Sequence, residues 1–207
     1  VFSMPVFYND RIYVTVSQDP WYKKDLGWLV CIDATSQGDV TRSGLVWSYK
    51  DTGATLSTVS IVDGLLYVAD YAGRLHCLDA ETGKEIWRKS LVKEYKTKIP
   101  AWYNGQCPLL DGERIIIGTG RDALLVALDI ATGKEIWSVK TGAALSAGPG
   151  VGEELLLLGT SDAEVLALNT TDGSLVWKVM VSREVLSVPQ HGLDTVIVQS
   201  ADGSIAA

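Results

Sequence analysis

Histidine, cysteine and phenylalanine are scarce in this chain of 207 residues, with two, three and two copies. No apolar run approaches the ~20 residues of a membrane-crossing helix. Cys31, Cys77 and Cys107 form no CxxC pair and are too few and scattered for a disulfide framework or a thiolate zinc site. They are expected as small buried hydrophobes. His76 lies beside Cys77, but neighbours on one strand point to opposite faces and cannot share an ion. His191 is placed in a solvated turn. Positive charge is also in deficit, 18 Lys and Arg against 25 Asp and Glu, so the net charge of −7 excludes the basic face that nucleic-acid binding requires. No G-x-S-x-G nucleophile elbow is present, and Gly118-Thr119-Gly120 is followed by no GK[ST], so it reads as a turn ending a strand. No leader pattern opens the chain, whose start at Val1 predicts a processed or excised product.

What is abundant is glycine, tryptophan and repetition. "LDAETGKEIW" (78–87) returns as "LDIATGKEIW" (128–137), and in degraded form as "LNTTDGSLVW" (168–177) and "CIDATSQGDVTRSGLVW" (31–47). The closing tryptophans are Trp47, Trp87, Trp137 and Trp177, and a period of about 40–50 residues marks a stacked-repeat architecture. Short β-rich runs split by turn residues precede each phrase, such as "LLYVAD" and "GRLHCLD", and helical spacing of apolar residues is absent. The fold class is therefore all-β, with antiparallel four-stranded units, their strands A to D in order. Asp79 and Asp129 are expected to accept N–H bonds in the C–D turn, and Gly83, Gly133 and Gly173 to supply its left-handed residue. The four tryptophans are expected as wedges between neighbouring sheets. A column of small residues, Cys31, Cys77, Ala127, Ala167 and Ala207, fits close sheet-to-sheet packing and predicts that Cys31 and Cys77 are free. The spacing predicts one β-propeller domain over 1–207, with blades near 1–49, 50–91, 101–139, 144–181 and 184–207. The last has three strands. A five-bladed ring is the favoured closure, and an arc of a larger propeller is the alternative.

Two long insertions, "SQDPWYKKDLGW" (17–28) and "KSLVKEYKTKIPAWYNGQ" (89–106), join strands B to C and D to A, connections that leave a meander on the same side. They carry Trp21, Tyr22, Lys23, Lys24, Trp28, Tyr95, Lys96, Lys98, Trp102 and Tyr103. A basic, aromatic patch on an acidic chain reads either as loops packing their own aromatics over the ring mouth or as a docking face for a protein segment or glycan.

The phrase A-x-D-x-x-T-G-x-x-x-W, in four spaced copies, resembles the tryptophan-docking repeat of pyrroloquinoline-quinone-like β-propellers. The stretch 140–189, "KTGAALSAGPG…SVP", is similar to the BamB-type outer-membrane assembly lipoproteins, whereas 1–140 looks more like other quinoprotein-like repeats, which fits a natural or engineered mosaic. The resemblance implies a non-catalytic scaffold for protein docking outside the cytoplasm, without cofactor, as a monomer or, less favoured, a dimer. The alternatives are a quinone-dependent dehydrogenase, which would need Ca²⁺, a quinone sandwiched by tryptophan and often a disulfide between adjacent cysteines; a glycan-binding propeller; and an engineered propeller without selected activity. This chain has no adjacent cysteine pair.

Overall fold

The computed structural model describes residues 3–17, 27–55, 57–96, 108–118 and 124–207. Five antiparallel sheets follow one another along the chain, each a meander in sequence order. The first contains β1 (Val6–Tyr8), β2 (Arg11–Ser17), β3 (Gly27–Asp33) and β4 (Leu45–Tyr49). The second contains β5 (Ser60–Val62), β6 (Leu65–Ala69), β7 (Arg74–Asp79) and β8 (Glu85–Ser90). After a short helix α1 (Leu91–Tyr95) come β9 (Leu109–Asp111), β10 (Arg114–Gly118), β11 (Leu124–Asp129) and β12 (Glu135–Lys140). The fourth sheet is β13 (Gly150–Gly152), β14 (Leu155–Gly159), β15 (Glu164–Asn169) and β16 (Leu175–Met180). The fifth has three strands, β17 (Gln190–Gly192), β18 (Thr195–Gln199) and β19 (Ile205–Ala206). By packing, residues 1–110 with 130–133 form one compact unit, and 111–129 with 134–207 a second.

The hairpins are tight because their residues tolerate a left-handed backbone. Asn9 and Asp10 (φ 48° and 57°), and Asp63 and Gly64 (φ 48° and 77°), place two successive positive φ values at the A–B turn, as a two-residue loop matched to strand twist requires. The middle strands are buried on both faces. Leu66, Tyr67 and Val68 on β6, and Leu156, Leu157 and Leu158 on β14, have no exposed surface. Such apolar runs are what a sheet sandwiched between two others demands. In the first unit, Tyr13, Leu29, Cys31 and Tyr49 of the first sheet pack against Leu66, Val68 and Leu78 of the second and against Val59 just ahead of it. In the second unit, Ala147 and Val165 pack against Val185 and Val198.

One irregularity recurs. Opposite each repeat tryptophan, the C–D pairing slips by a residue: Cys31 faces Trp47 but Ile32 faces Leu45, and the same step occurs at Cys77/Leu78, Ala127/Leu128 and Ala167/Leu168. Each D strand therefore contains one extra residue just before its tryptophan: Val46, Ile86, Ile136 or Val176. A bulge bends its strand and re-aims the neighbouring side chain. Here it turns the indole toward the next sheet.

The structure adds one element and corrects one expectation. The insertion after β8 opens with α1, where Ser90 caps the first turn by accepting from the Lys93 N–H and Lys96 ends it at φ 54°. His191 lies within β17 rather than in a turn, half-buried above Gly152. A Cβ at Gly152 would lie 2.1 Å from the His191 Cβ, so only glycine admits the strand there.

Candidate functional site

The tryptophans make a repeated joint. The Nε1–H of Trp47 donates to the Ala80 carbonyl at 3.1 Å, that of Trp87 to Ile130 at 3.0 Å, and that of Trp137 to Thr170 at 3.0 Å. Each acceptor is the residue directly after the Asp or Asn of the following repeat. The ring lies flat on that repeat's glycine: a Cβ would come 2.5 Å from Trp47 at Gly83, 2.7 Å from Trp87 at Gly133 and 2.8 Å from Trp137 at Gly173. These glycines have φ of 68°, 65° and 74°, so they serve both the turn and the indole above it. Tyr13 and Tyr67 donate their hydroxyls to the same Ala80 and Ile130 carbonyls, at 3.0 and 2.9 Å. Sequence reading missed these tyrosines, whose equivalents elsewhere are Ile116 and Leu157.

Asp79 holds the turn between the joints. Its Oδ1 accepts from the Thr82 backbone and hydroxyl, both at 2.7 Å. The Thr82 hydroxyl, and then its N–H, hold the Asp79 carboxyl below the usual carboxylate range. Asp33 does the same with Thr35, and Asn169 accepts from the Thr171 N–H at 2.7 Å.

His76 belongs to a buried polar cluster that its neighbours in sequence do not reveal. Its Nε2 is 3.1 Å from Asp70 Oδ2, and its Nδ1 is 3.1 Å from the Tyr49 hydroxyl, which also donates to Glu85. Arg74 Nε reaches Asp70 at 2.6 Å, and Arg88 Nε lies 3.5 Å from Glu85. Burial pulls the Asp70 pKa upward, but hydrogen bonds from His76 and the Arg74 N–H outweigh it and keep the group below its ordinary value. Burial first, then Glu85, pushes the Tyr49 hydroxyl well above the usual phenol range. His76 is fully enclosed and Asp70 nearly so, and the cluster braces the first sheet against the second.

Of the insertion residues, Trp28 stands on β3, 38% exposed. Tyr95 and Lys96 end α1, and Lys89, which also reaches Glu94 at 3.0 Å, lies 6.0 Å from the Tyr95 ring centre. Trp21, Tyr22, Lys23, Lys24, Lys98, Trp102 and Tyr103 lie outside the described residues, as do Thr119 and Gly120. Among the described cysteines, Cys31 and Cys77 are free and buried.

The fourth tryptophan differs from the other three. Trp177 lines an open groove of about 870 Å³ between the fourth and fifth sheets, with Val179, Met180, Leu193, Glu153 and Asp194 among its walls. Pyrroloquinoline quinone carries three carboxylates, and this groove offers two further acids and neither Lys nor Arg. The faces of Trp47, Trp87 and Trp137 are already covered by glycine. This groove and the three covered indoles therefore do not fit the quinone, and among the described residues no group of three His, Cys, Asp or Glu side chains could hold a metal ion.

A sequence model of the family described as "Outer membrane protein assembly factor BamB" matches residues 25–140 and 121–207. BamB of Shewanella oneidensis is 27% identical over 138 residues, 64% of this chain and 34% of that protein. The quinohemoprotein alcohol dehydrogenase of Comamonas testosteroni is 30% identical over 118 residues, 53% of this chain and 16% of the enzyme. The chain thus matches about a third or less of the length of these relatives. The crystal structure of BamB from Moraxella catarrhalis superposes with a TM-score of 0.69 at 21% identity, covering 98% of this chain and 56% of that one. That likeness establishes the five sheets as β-propeller blades. With the two matches together running from residue 25 to residue 207, the chain belongs to the BamB family of outer membrane protein assembly factors.

Proposed function

We propose that this propeller is a non-catalytic scaffold, working outside the cytoplasm, that presents its aromatic and basic insertions to a protein partner in outer-membrane protein assembly. The observation that carries this reading is how the repeat's own reactive-looking groups are used. Three indoles are spent on backbone carbonyls, Asp79 on its turn and His76 on a sealed brace. What the repeats leave over is Trp21, Tyr22, Lys23, Lys24, Trp28, Tyr95, Lys96, Lys98, Trp102 and Tyr103, all in the two insertions. Large rigid aromatics with flexible cations suit docking of an extended, acidic or polar segment. The likeness to BamB supports a protein segment over a glycan as its occupant.

The test compares the wild-type chain with the Trp21→Ala, Trp102→Ala, Tyr103→Ala triple variant. Each is immobilised and offered detergent-solubilised outer-membrane proteins, with retained partners identified by mass spectrometry. The expected result is retention of assembly proteins by the wild type alone, at nearly equal Tm. Equal loss of retention and Tm would show that the aromatics only pack the loops. The dehydrogenase relatives motivate a parallel arm: a bound-quinone spectrum and dye reduction with alcohols, after addition of pyrroloquinoline quinone and Ca²⁺, would overturn the non-catalytic reading.

A further inference from the structure

Three facing atoms in the brace between the first and second sheets have more contacts than hydrogens. His76 Nδ1 lies 3.1 Å from the Tyr49 hydroxyl, and that same hydroxyl donates to Glu85 Oε2. Each contact needs one hydrogen, since two lone pairs repel at this range. Tyr49 brings a single one, and it goes to Glu85. The far nitrogen of His76 has none to spare. Its Nε2 faces Asp70 Oδ2 at 3.1 Å, a carboxylate oxygen that also accepts from Arg74 Nε at 2.6 Å and from the Gly53 N–H at 3.2 Å, so Nε2 is a donor. A neutral imidazole has one N–H and spends it there. The contact between Nδ1 and Tyr49 is then one hydrogen short. Nor does the fold require a polar group at this point. His76 stands one residue before Cys77, which faces Trp87, and the residues in that position on the next two sheets are Val126 and Leu166, both buried. Among the described residues, the charged groups that bear on His76 and Tyr49 are Asp70, Arg74, Glu85, Arg88 and Asp51. Three acids against two arginines leave one negative charge uncompensated, which an imidazolium balances.

We propose that His76, Tyr49 and Glu85 together hold one proton more than a neutral histidine, a phenol and a carboxylate, carried as the His76 imidazolium, and that its release as pH rises loosens the brace between the two sheets. Once Nδ1 has lost its hydrogen, the Tyr49 hydroxyl can serve His76 or Glu85 but not both. Whichever it abandons is an enclosed acceptor left without that donor. A histidine in the unfolded chain gives up its proton near ~6.5, so above that pH the folded state binds more protons than the unfolded one. The stability supplied by the brace is therefore full below that pH and is lost as pH rises. The device works as a switch on the packing of the first two sheets, set by proton concentration. No insertion residue takes part, so this proposal and the docking-loop reading stand or fall separately.

The test follows urea unfolding of the whole chain between about pH 6 and about pH 9, in the wild type and two variants. Glu85→Gln replaces a carboxylate oxygen with an amide that can donate to the Tyr49 oxygen, which frees the Tyr49 hydrogen for Nδ1 and fills every contact without the extra proton. Tyr49→Phe removes the shared oxygen altogether. Relative to either variant, the wild-type unfolding constant should rise by up to about tenfold per pH unit above ~6.5. The advantage of the wild type over Tyr49→Phe should accordingly narrow with rising pH. A direct reading comes from NMR of the imidazole nitrogens in a His191→Gln chain, whose one remaining histidine is His76. Both ring nitrogens should carry hydrogen near neutral pH, and only one in the same chain with Glu85→Gln added. A neutral His76 in the presence of Glu85 and Tyr49, or a pH slope that either variant shares with the wild type, would each overturn the proposal.

Discussion

Gly83 and Gly64 have similar backbones but different surroundings, and alanine at each separates turn strain from indole docking. Both sit in hairpin turns of one unit, with φ of 68° and 77°. A left-handed alanine costs about 1 kcal/mol relative to glycine. At Gly64 nothing lies within 4 Å of the added Cβ, so that cost is the whole effect. At Gly83 the Cβ meets Trp47 Cδ2, Cε3 and Cγ at 2.5, 2.7 and 3.0 Å. The ring must shift, which adds about 1–3 kcal/mol of overpacking. Its bond to the Ala80 carbonyl is then lost, for about 1 kcal/mol more. Gly83→Ala should therefore destabilise by about 3–5 kcal/mol against about 1 for Gly64→Ala, read from urea unfolding by circular dichroism. In a Trp47→Ala background the two glycines should cost the same, since the ring they differ over is gone. Equal costs in the wild type, or a difference that survives removal of Trp47, would refute the account of the joint.

Asp79 has a depressed pKa in the fold, so its contribution is present above the unfolded carboxylate value, near ~3.9, and is lost as pH falls through the folded value. The stability gap between wild type and Asp79→Ala should accordingly shrink on acidification below about pH 4, as measured by urea titrations across pH. Burial raises the Cys77 thiol to about 12, and it raises Cys31 as well, against a small opposing pull from the Tyr13 hydrogen bond. In a Cys107→Ser chain, Ellman's reagent should leave both thiols untouched until denaturant is added. Prompt reaction in the native state would contradict the packing at these two positions. Tyr49→Phe removes the hydroxyl shared by His76 and Glu85 and should cost about 1–3 kcal/mol by strand-to-strand unbracing, since a buried ring nitrogen loses its partner. A change within error in urea unfolding would show the cluster to be idle.

The repeat phrase was legible because its parts are local in sequence: Asp79, Thr82 and Gly83 lie within one turn, and Trp87 follows four residues on. The partner of each indole was only partly legible. That a sheet lies against it follows from the period, but the acceptor, the carbonyl after the next repeat's Asp, depends on the bulge at Val46, Ile86, Ile136 and Val176. No residue type marks that extra position, since valine and isoleucine there look like ordinary strand residues. The His76 cluster was hidden for another reason: Asp70 just after β6, Tyr49 on β4 and Glu85 on β8 come from separate places in two sheets, and only their packing joins them. His191 was misplaced because the Gly192 beside it signals a turn, whereas the turn begins one residue later, at Leu193 (φ 52°). The proposed docking residues were named from their place in the two insertions and their aromatic and basic character, and Trp28, Tyr95 and Lys96 are the ones that fall within the described residues.

The extra residue ahead of each tryptophan has a further effect at one edge of each four-stranded sheet, where the D strand has a hydrogen-bonded neighbour on one side only. Val46, Ile86, Ile136 and Val176 are 43–53% exposed there, apolar side chains on strands with a free side, a combination that invites uncontrolled stacking of one molecule on another. The break in ladder spacing at those same residues spoils each margin as a template, because an incoming straight strand cannot match its donors and acceptors on both sides of the kink. Internal cohesion and resistance to fibre-like association therefore rest on a single inserted position per sheet, and deleting it should harm both.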